Sequence, residues 1–119
     1  MNNSQGLNRI SIGLDIVYIP RFLKFIAEEN FKKFIFSEEE MSLPVQSLVG
    51  NFAIKEAFIK AFRECIAPFR LSDLKVLRND NGLPMLRSSN ESIFLLTEKV
   101  ISMSISHDID YCVAVVMVN

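Results

Sequence analysis

Two carboxylates sit where the packing pattern of this 119-residue chain calls for apolar side chains. Asp15 lies mid-strand between Leu14 and Ile16, and aspartate is disfavoured in strands. Glu56 follows Phe52 by four residues and precedes Ile59 by three. At about 100° per residue it falls inside the arc drawn by Val45, Val49, Phe52 and Ile59. A carboxylate in such a place must be paired, protonated or bound to a metal. Taken singly, each has an ordinary reading: Asp15 facing solvent on an edge strand, Glu56 pairing with Lys60 one turn on. Taken together they fit one hard-cation site, because Mg²⁺ is usually held by one or two carboxylates, waters and substrate phosphates. Phosphate chemistry is then the expectation.

Cations stand beside Glu56. Lys55, Lys60 and Arg63 lie on the same helical segment, and Lys60 is about 40° from Glu56 on the wheel, within reach of a shared ligand. The alternative is a solvated helix face. His107 is the only histidine and follows three alternating serines at a strand end. An imidazole there can donate to a phosphate or take a proton; a structural or merely exposed histidine is the alternative.

The elements that would position these groups follow from local pattern. Residues 10–19 read as a strand, with Ile10, Ile12, Leu14, Ile16 and Tyr18 on one face and Ser11, Gly13, Asp15, Val17 and Ile19 on the other. Pro20 suits the first turn of a helix running to about Glu29. Ser37-Glu38-Glu39-Glu40 is a capping-box pattern opening a short helix, which Leu43-Pro44 ends. Pro44 opens the longest helix, 45–63. Strands at 74–78 and 83–86 flank the turn Asn79-Asp80-Asn81-Gly82. Residues 89–100 are ambiguous and read as a short helix. Residues 101–106 alternate strictly, as a half-buried strand does. Residues 111–118 are apolar on both faces, as in a central strand, and His107-Asp108-Ile109-Asp110 joins the two. The fold class is α+β: a single small domain over 1–119 with an antiparallel sheet and one long helix, residues 1–9 forming a loosely ordered extension.

Composition narrows the function. Thirteen Lys+Arg against 14 Asp+Glu give a net charge of -1, too little basic excess for non-specific nucleic-acid binding. No run of about 18 apolar residues is present to span a membrane, and no apolar leader segment is visible. Two cysteines, Cys65 and Cys112, make neither a disulfide framework nor a metal knuckle, which points to a reducing cytoplasm. Half the residues are hydrophobic. A domain of this size buries only about two-thirds of its unfolded surface, so either apolar surface remains for a subunit interface or the monomer is richly packed.

The residues resemble a known family. Ile12-Gly13-Leu14-Asp15-Ile16-Val17, the Lys-Glu-Ala helix Phe52-Ala53-Ile54-Lys55-Glu56-Ala57-Phe58-Ile59-Lys60-Ala61, the hairpin Asn79-Asp80-Asn81-Gly82-Leu83-Pro84 and the strand Ser104-Ile105-Ser106-His107 are similar, in order, to the motifs of the holo-acyl-carrier-protein synthases. The resemblance implies transfer of 4'-phosphopantetheine from coenzyme A to a serine of apo-acyl carrier protein, with Mg²⁺ required and adenosine 3',5'-bisphosphate released. It implies a cytoplasmic homotrimer serving fatty acid biosynthesis, with active sites in clefts between subunits. Asp15 and Glu56 match the metal-binding acids. Glu56 or a metal-bound water would take the serine proton, and Lys60 would stabilise the leaving phosphate. Lys55 would add positive potential toward coenzyme A. His107 matches a position in the coenzyme A cleft, and the Gly82–Pro84 turn one against the adenine end. Arg21 matches a carrier-protein contact; Lys24 joins it by its i,i+3 spacing. The chain departs from the pattern at Asn51, where an arginine is usual, and at Ile59, Tyr18 and Asp108. Arg63-Glu64-Cys65-Ile66-Ala67-Pro68 replaces a glycine-rich stretch. These departures keep a second reading open, a relative that binds coenzyme A or the carrier without turnover.

Overall fold

The structure, a computed structural model, describes residues 10–62, 70–88 and 100–119. The 1–9 extension, Arg63 with the stretch after it, and the expected helix within 89–100 therefore lie outside the described residues, apart from Val100. Strand β1 (Ser11–Tyr18) leads directly into α1 (Ile19–Ile26) and then α2 (Glu29–Ile35). A 3-10 turn at Glu38–Glu40 precedes α3 (Val45–Phe62), and another at Leu71–Asp73 precedes the hairpin β2 (Leu74–Arg78) and β3 (Pro84–Ser88). The chain closes with β4 (Ile101–Asp108) and β5 (Tyr111–Val118). β1, β5 and β4 form an antiparallel sheet in that order; β2 and β3 form a separate two-stranded sheet. The result is a small α+β domain.

Several boundaries differ from the sequence reading, each for a local reason. The first helix stops at Ile26, because the Glu28 carboxylate accepts from the Asn30 and Phe31 amides and starts a new helix. Neither glycine nor proline marks that break. The capping box at Ser37 closes only a 3-10 turn. β4 runs through His107 to Asp108, leaving the two-residue turn Ile109–Asp110, with Ile109 at φ 51°.

α3 crosses one face of the sheet and is buried nearly all round: Leu48, Ala53, Ile54, Ala57 and Phe58 are closed to solvent. This corrects the wheel reading. Of the arc Val45, Val49, Phe52 and Ile59, only Val49 is buried, Phe52 and Ile59 are partly covered and Val45 is 51% exposed, so Glu56, itself partly covered, stands at the edge of the helix–sheet contact rather than in the core.

In β1 the apolar column turns away from the helix. Ile12, Leu14 and Ile16 are 61%, 58% and 63% exposed, while Gly13 and Val17 are buried against α3. Gly13 sets the approach: a Cβ built there would lie 1.7 Å from the Ala57 carbonyl oxygen. Only a glycine permits that contact, and relief requires backbone movement because the obstacle is backbone. Gly13→Ala is expected to cost at least about 2 kcal/mol by overpacking, measured by urea denaturation. An unchanged midpoint would show that β1 and α3 are not held this close.

Candidate active site

The close approach at Gly13 brings the next inward-facing position of β1, Asp15, beside the turn of α3 that carries Glu56 and Lys60. The Lys60 ammonium donates to Asp15 Oδ1 at 3.1 Å and to the Leu14 carbonyl at 2.9 Å. Lys60 remains half exposed while Asp15 is largely covered. Burial lifts the Asp15 carboxyl above its ordinary value, and the Lys60 bond works against that rise. Burial lifts Glu56 too, and the nearby Asp15 charge adds to it while Lys60 opposes it. Like charges close together in a partly dry site disfavour ionisation of both. The same Asp15 charge, after burial itself, helps push the Cys112 thiol behind it up to about 11; that cysteine is an inert core residue.

Asp15 and Glu56 offer oxygen donors only. Among the described residues no group of three or more His, Cys, Asp or Glu side chains converges. Two carboxylates suit a small hard dication that keeps waters and shares substrate oxygens. The raised carboxyls give the fit a physical basis, since a dication would neutralise charge that burial and repulsion penalise. The expected convergence of Asp15, Glu56 and Lys60 is present.

Lys55 is elsewhere, and its expected role toward a phosphate is corrected. Its ammonium is fully buried, 2.6 Å from Glu40 Oε1 and 2.8 Å from the Ile35 carbonyl, and has no face toward solvent. A buried ammonium must be paired. Asn51 belongs to the same structural group: its amide donates to Glu40 Oε2 at 2.9 Å and to the Val76 carbonyl at 3.0 Å. The substitution of the usual arginine there therefore touches the fold's interior rather than the acids. Sequence reasoning missed Glu40, although its place as fourth residue of the capping box was the available signal.

His107 pairs with Cys112 on the far edge strand, with β5 between it and β1. Two strand spacings put it about 10 Å from the β1 backbone, so it is not part of the acid cluster within one chain. Gly82, at φ 82°, closes the β2–β3 turn; Asn79 Oδ1 accepts from the Asn81 and Leu83 amides. Pro84 opens β3. Both belong to the second sheet, which shares no ladder with the strand that holds Asp15. Arg21 and Lys24 are exposed on α1, Arg21 lying 5.4 Å from the Tyr18 ring centre. On the inner side of α1, Phe22 stacks on Phe52 at 4.8 Å, one turn before Glu56, so α1 flanks the acids.

A raised carboxyl gives a stability signature. Glu56 favours the fold when protonated, so its contribution is full below its unfolded pKa of about 4.3 and is lost as pH rises through its raised folded value. Glu56→Gln has no such loss. Without divalent cations, the unfolding temperature of Glu56→Gln minus that of the wild type is expected to grow from pH 4 and then level off. A flat or reversed difference would mean that Glu56 is not penalised in the fold.

Comparison with known proteins shows the family. The family model described as "4'-phosphopantetheinyl transferase superfamily" matches residues 11–116. A holo-[acyl-carrier-protein] synthase of Fusobacterium nucleatum is 33% identical over 92% of this chain and 98% of its own length. Its counterpart in Clostridium botulinum is 37% identical over 81% of this chain and 85% of its own. The crystal structure of the Helicobacter pylori holo-[acyl-carrier-protein] synthase in complex with coenzyme A superposes with a TM-score of 0.77 at 32% identity, covering 91% of this chain and 99% of that one. The chain belongs to the 4'-phosphopantetheinyl transferase superfamily and, within it, to the holo-acyl-carrier-protein synthase family of enzymes.

Proposed function

We propose that the protein transfers the 4'-phosphopantetheine arm of coenzyme A to a serine of an apo-acyl carrier protein, releasing adenosine 3',5'-bisphosphate. The observation that carries this reading is the cluster of Asp15, Glu56 and Lys60. The names of its relatives and the coenzyme A bound to the Helicobacter pylori structure support it.

Asp15 and Glu56 would hold Mg²⁺, which when bound neutralises charge on the pyrophosphate. The serine oxygen bonds to the β-phosphorus, and the bond from that phosphorus to the bridging oxygen of the nucleotide breaks. Glu56, or a water held beside it, would receive the serine proton. Lys60 turns its half-exposed ammonium to the leaving phosphate. Arg21 and Lys24 face solvent on α1, where they would meet an acidic carrier and set its approach.

His107, Gly82 and Pro84 complete the coenzyme A site in this reading, from clefts between subunits of a homotrimer. The support is the outer face of the sheet, where Ile12, Leu14, Ile16 and Met117 stand open beside Tyr18 and Tyr111. Apolar surface of that extent is characteristic of an interface. The reaction would take place in the cytoplasm and serve fatty acid synthesis. The alternative of a relative that binds without turnover draws on the missing glycine-rich stretch and on Asn51, and the bonding of Asn51 inside the fold weighs against the second ground.

Incubation with coenzyme A, Mg²⁺ and apo-acyl carrier protein is expected to add the mass of one phosphopantetheine arm to the carrier. No shift with several carriers, despite coenzyme A binding, would replace this reading by the binding-only one. Asp15→Ala and Glu56→Ala are each expected to slow transfer on the order of a hundred- to a thousandfold while staying folded by circular dichroism. In solution, light scattering is expected to give three times the 13.6 kDa chain mass; a stable monomer would remove the inter-subunit part of the site.

A further inference from the structure

Gly50 lies inside α3, where a glycine weakens the helix, and the space it leaves is taken by the end of Arg78. A Cβ built at Gly50 would stand 3.7 Å from Arg78 Nη2 and 3.2 Å from Ile105 Cδ1. Arg78 is the last residue of β2 and pairs with Pro84 across the β2–β3 turn. Its charged end, not only its stem, thus rests on α3 beside the Ile105 side chain of β4. Burial lowers the guanidinium from its ordinary value, and the Glu40 charge opposes that fall; an arginine stays charged in such a setting. Among the described residues Arg78 has no hydrogen bond or ion pair. Glu40, whose charge it feels, cannot turn to it, because both carboxylate oxygens are taken by Ser37, Lys55, Asn51 and Val76. A partly desolvated guanidinium without an anion is a place for one.

We propose that Arg78 holds the phosphomonoester on the ribose of coenzyme A and so makes the protein select coenzyme A over its 3'-dephospho form. The inference deepens the transferase reading and rests on it for the identity of the ligand. Three pieces of the chain meet at this guanidinium: the turn that carries Gly82 and leads to Pro84, strand β4 at Ile105, and α3 at Gly50. Ile105 and His107 share a face of β4 by its period of two, so His107 opens on the side of the sheet where Arg78 lies. The ligand brings two separate demands, a pyrophosphate and a ribose phosphate. Glu56 lies six residues beyond Gly50, about 9 Å along the helix, so the acid cluster of the same chain does not reach Arg78, and the ribose phosphate needs a donor of its own. A guanidinium offers it two parallel N–H donors, which an ammonium does not match. Asn51 cannot serve. Its side chain is closed to solvent and bonded inward to Glu40 and the Val76 carbonyl, and its Oδ1 is left without a partner among the described residues. The cation missing from position 51 is therefore supplied by the strand that Asn51 ties to α3.

The test is titration calorimetry of coenzyme A and of 3'-dephospho-coenzyme A, each with Mg²⁺ present. The wild type is expected to bind coenzyme A about tenfold or more tighter than the dephospho form. Arg78→Gln is expected to weaken coenzyme A about tenfold and to leave the dephospho form within about twofold, so that the preference collapses. Arg78→Lys, which keeps the charge but not the fork, is expected to fall between. Equal weakening of both ligands marks a packing role and overturns the proposal. So does a preference that Arg78→Gln leaves intact; a change in oligomer mass beside it assigns Arg78 to a contact between copies. A wild type that binds neither ligand, or both alike, overturns it as well. Should Arg78→Gln lose thermal stability, Arg78→Lys alone decides: weakening of coenzyme A only, by about threefold, supports the contact, and no selective weakening overturns it. Calorimetry needs no turnover. A wild type that binds coenzyme A but loads no carrier removes the transferase reading, and the two variants still decide Arg78.

Discussion

The Glu40 carboxylate accepts from the Ser37 amide and hydroxyl and from the Lys55 ammonium on one oxygen, and from the Asn51 side chain and the Val76 amide on the other. Lys55 in turn holds the last carbonyl of α2. One buried charge pair thus ties α2, the 3-10 turn, α3 and β2 together. Such a pair gains little over an apolar replacement, but removing one partner strands the other and costs about 3–5 kcal/mol. Its value here is geometric. With Lys55 drawn inward to Glu40, the next residue is rotated by about 100°, and Glu56 is turned to the edge where α3 meets β1. The buried pair sets the rotation of α3, and the Gly13–Ala57 contact sets its distance from the strand. Asp15, Glu56 and Lys60 meet where those two constraints cross.

Two kinds of carboxylate result. Glu40 is closed to solvent and fully engaged by donors, so its charge is spent on structure. Glu56 is half-buried, and burial and the neighbouring Asp15 charge bear on it without compensation by hydrogen bonds among the described residues. Its charge is stabilised only partly, by Lys60. A site that must accept a cation or a proton needs that kind of unsatisfied group, and the fold tolerates it because the rest of α3 is packed into the core.

What was legible in the sequence follows from which signals are local. The alternation at Ile101, Met103 and Ile105 and the two-sided apolar run of β5 report the faces of a sheet; β5 appears where that period put it, and β4 begins there and runs two residues further. Asp15 and Glu56 stood out because each breaks the pattern around it. The break between α1 and α2 carried no such mark; it depends on a glutamate cap at Glu28, a residue type that also sits comfortably inside helices. Lys55 was misread because its partner Glu40 lies 15 residues away, and nothing about a lysine states whether it faces a ligand or a buried acid. The wheel for α3 lost contrast because that helix is covered on most sides, which removes the polar face a moment needs.

The uncovered face of the sheet bears on the same point. In β1 the larger apolar residues, Ile12, Leu14 and Ile16, point away from the helix, and the inward positions are given to Gly13, Asp15 and Val17. A strand optimised for a monomer would do the reverse, turning its large residues to the helix and leaving polar ones outside. The inversion lets α3 come close enough for Asp15 to reach the Lys60 turn, and it leaves the apolar column for another surface to cover. Close helix packing at the acids and apolar exposure on the opposite face are therefore two consequences of one choice of residues in β1. A substitution that filled the inner face for stability would separate the acids before it hid any of the outer surface.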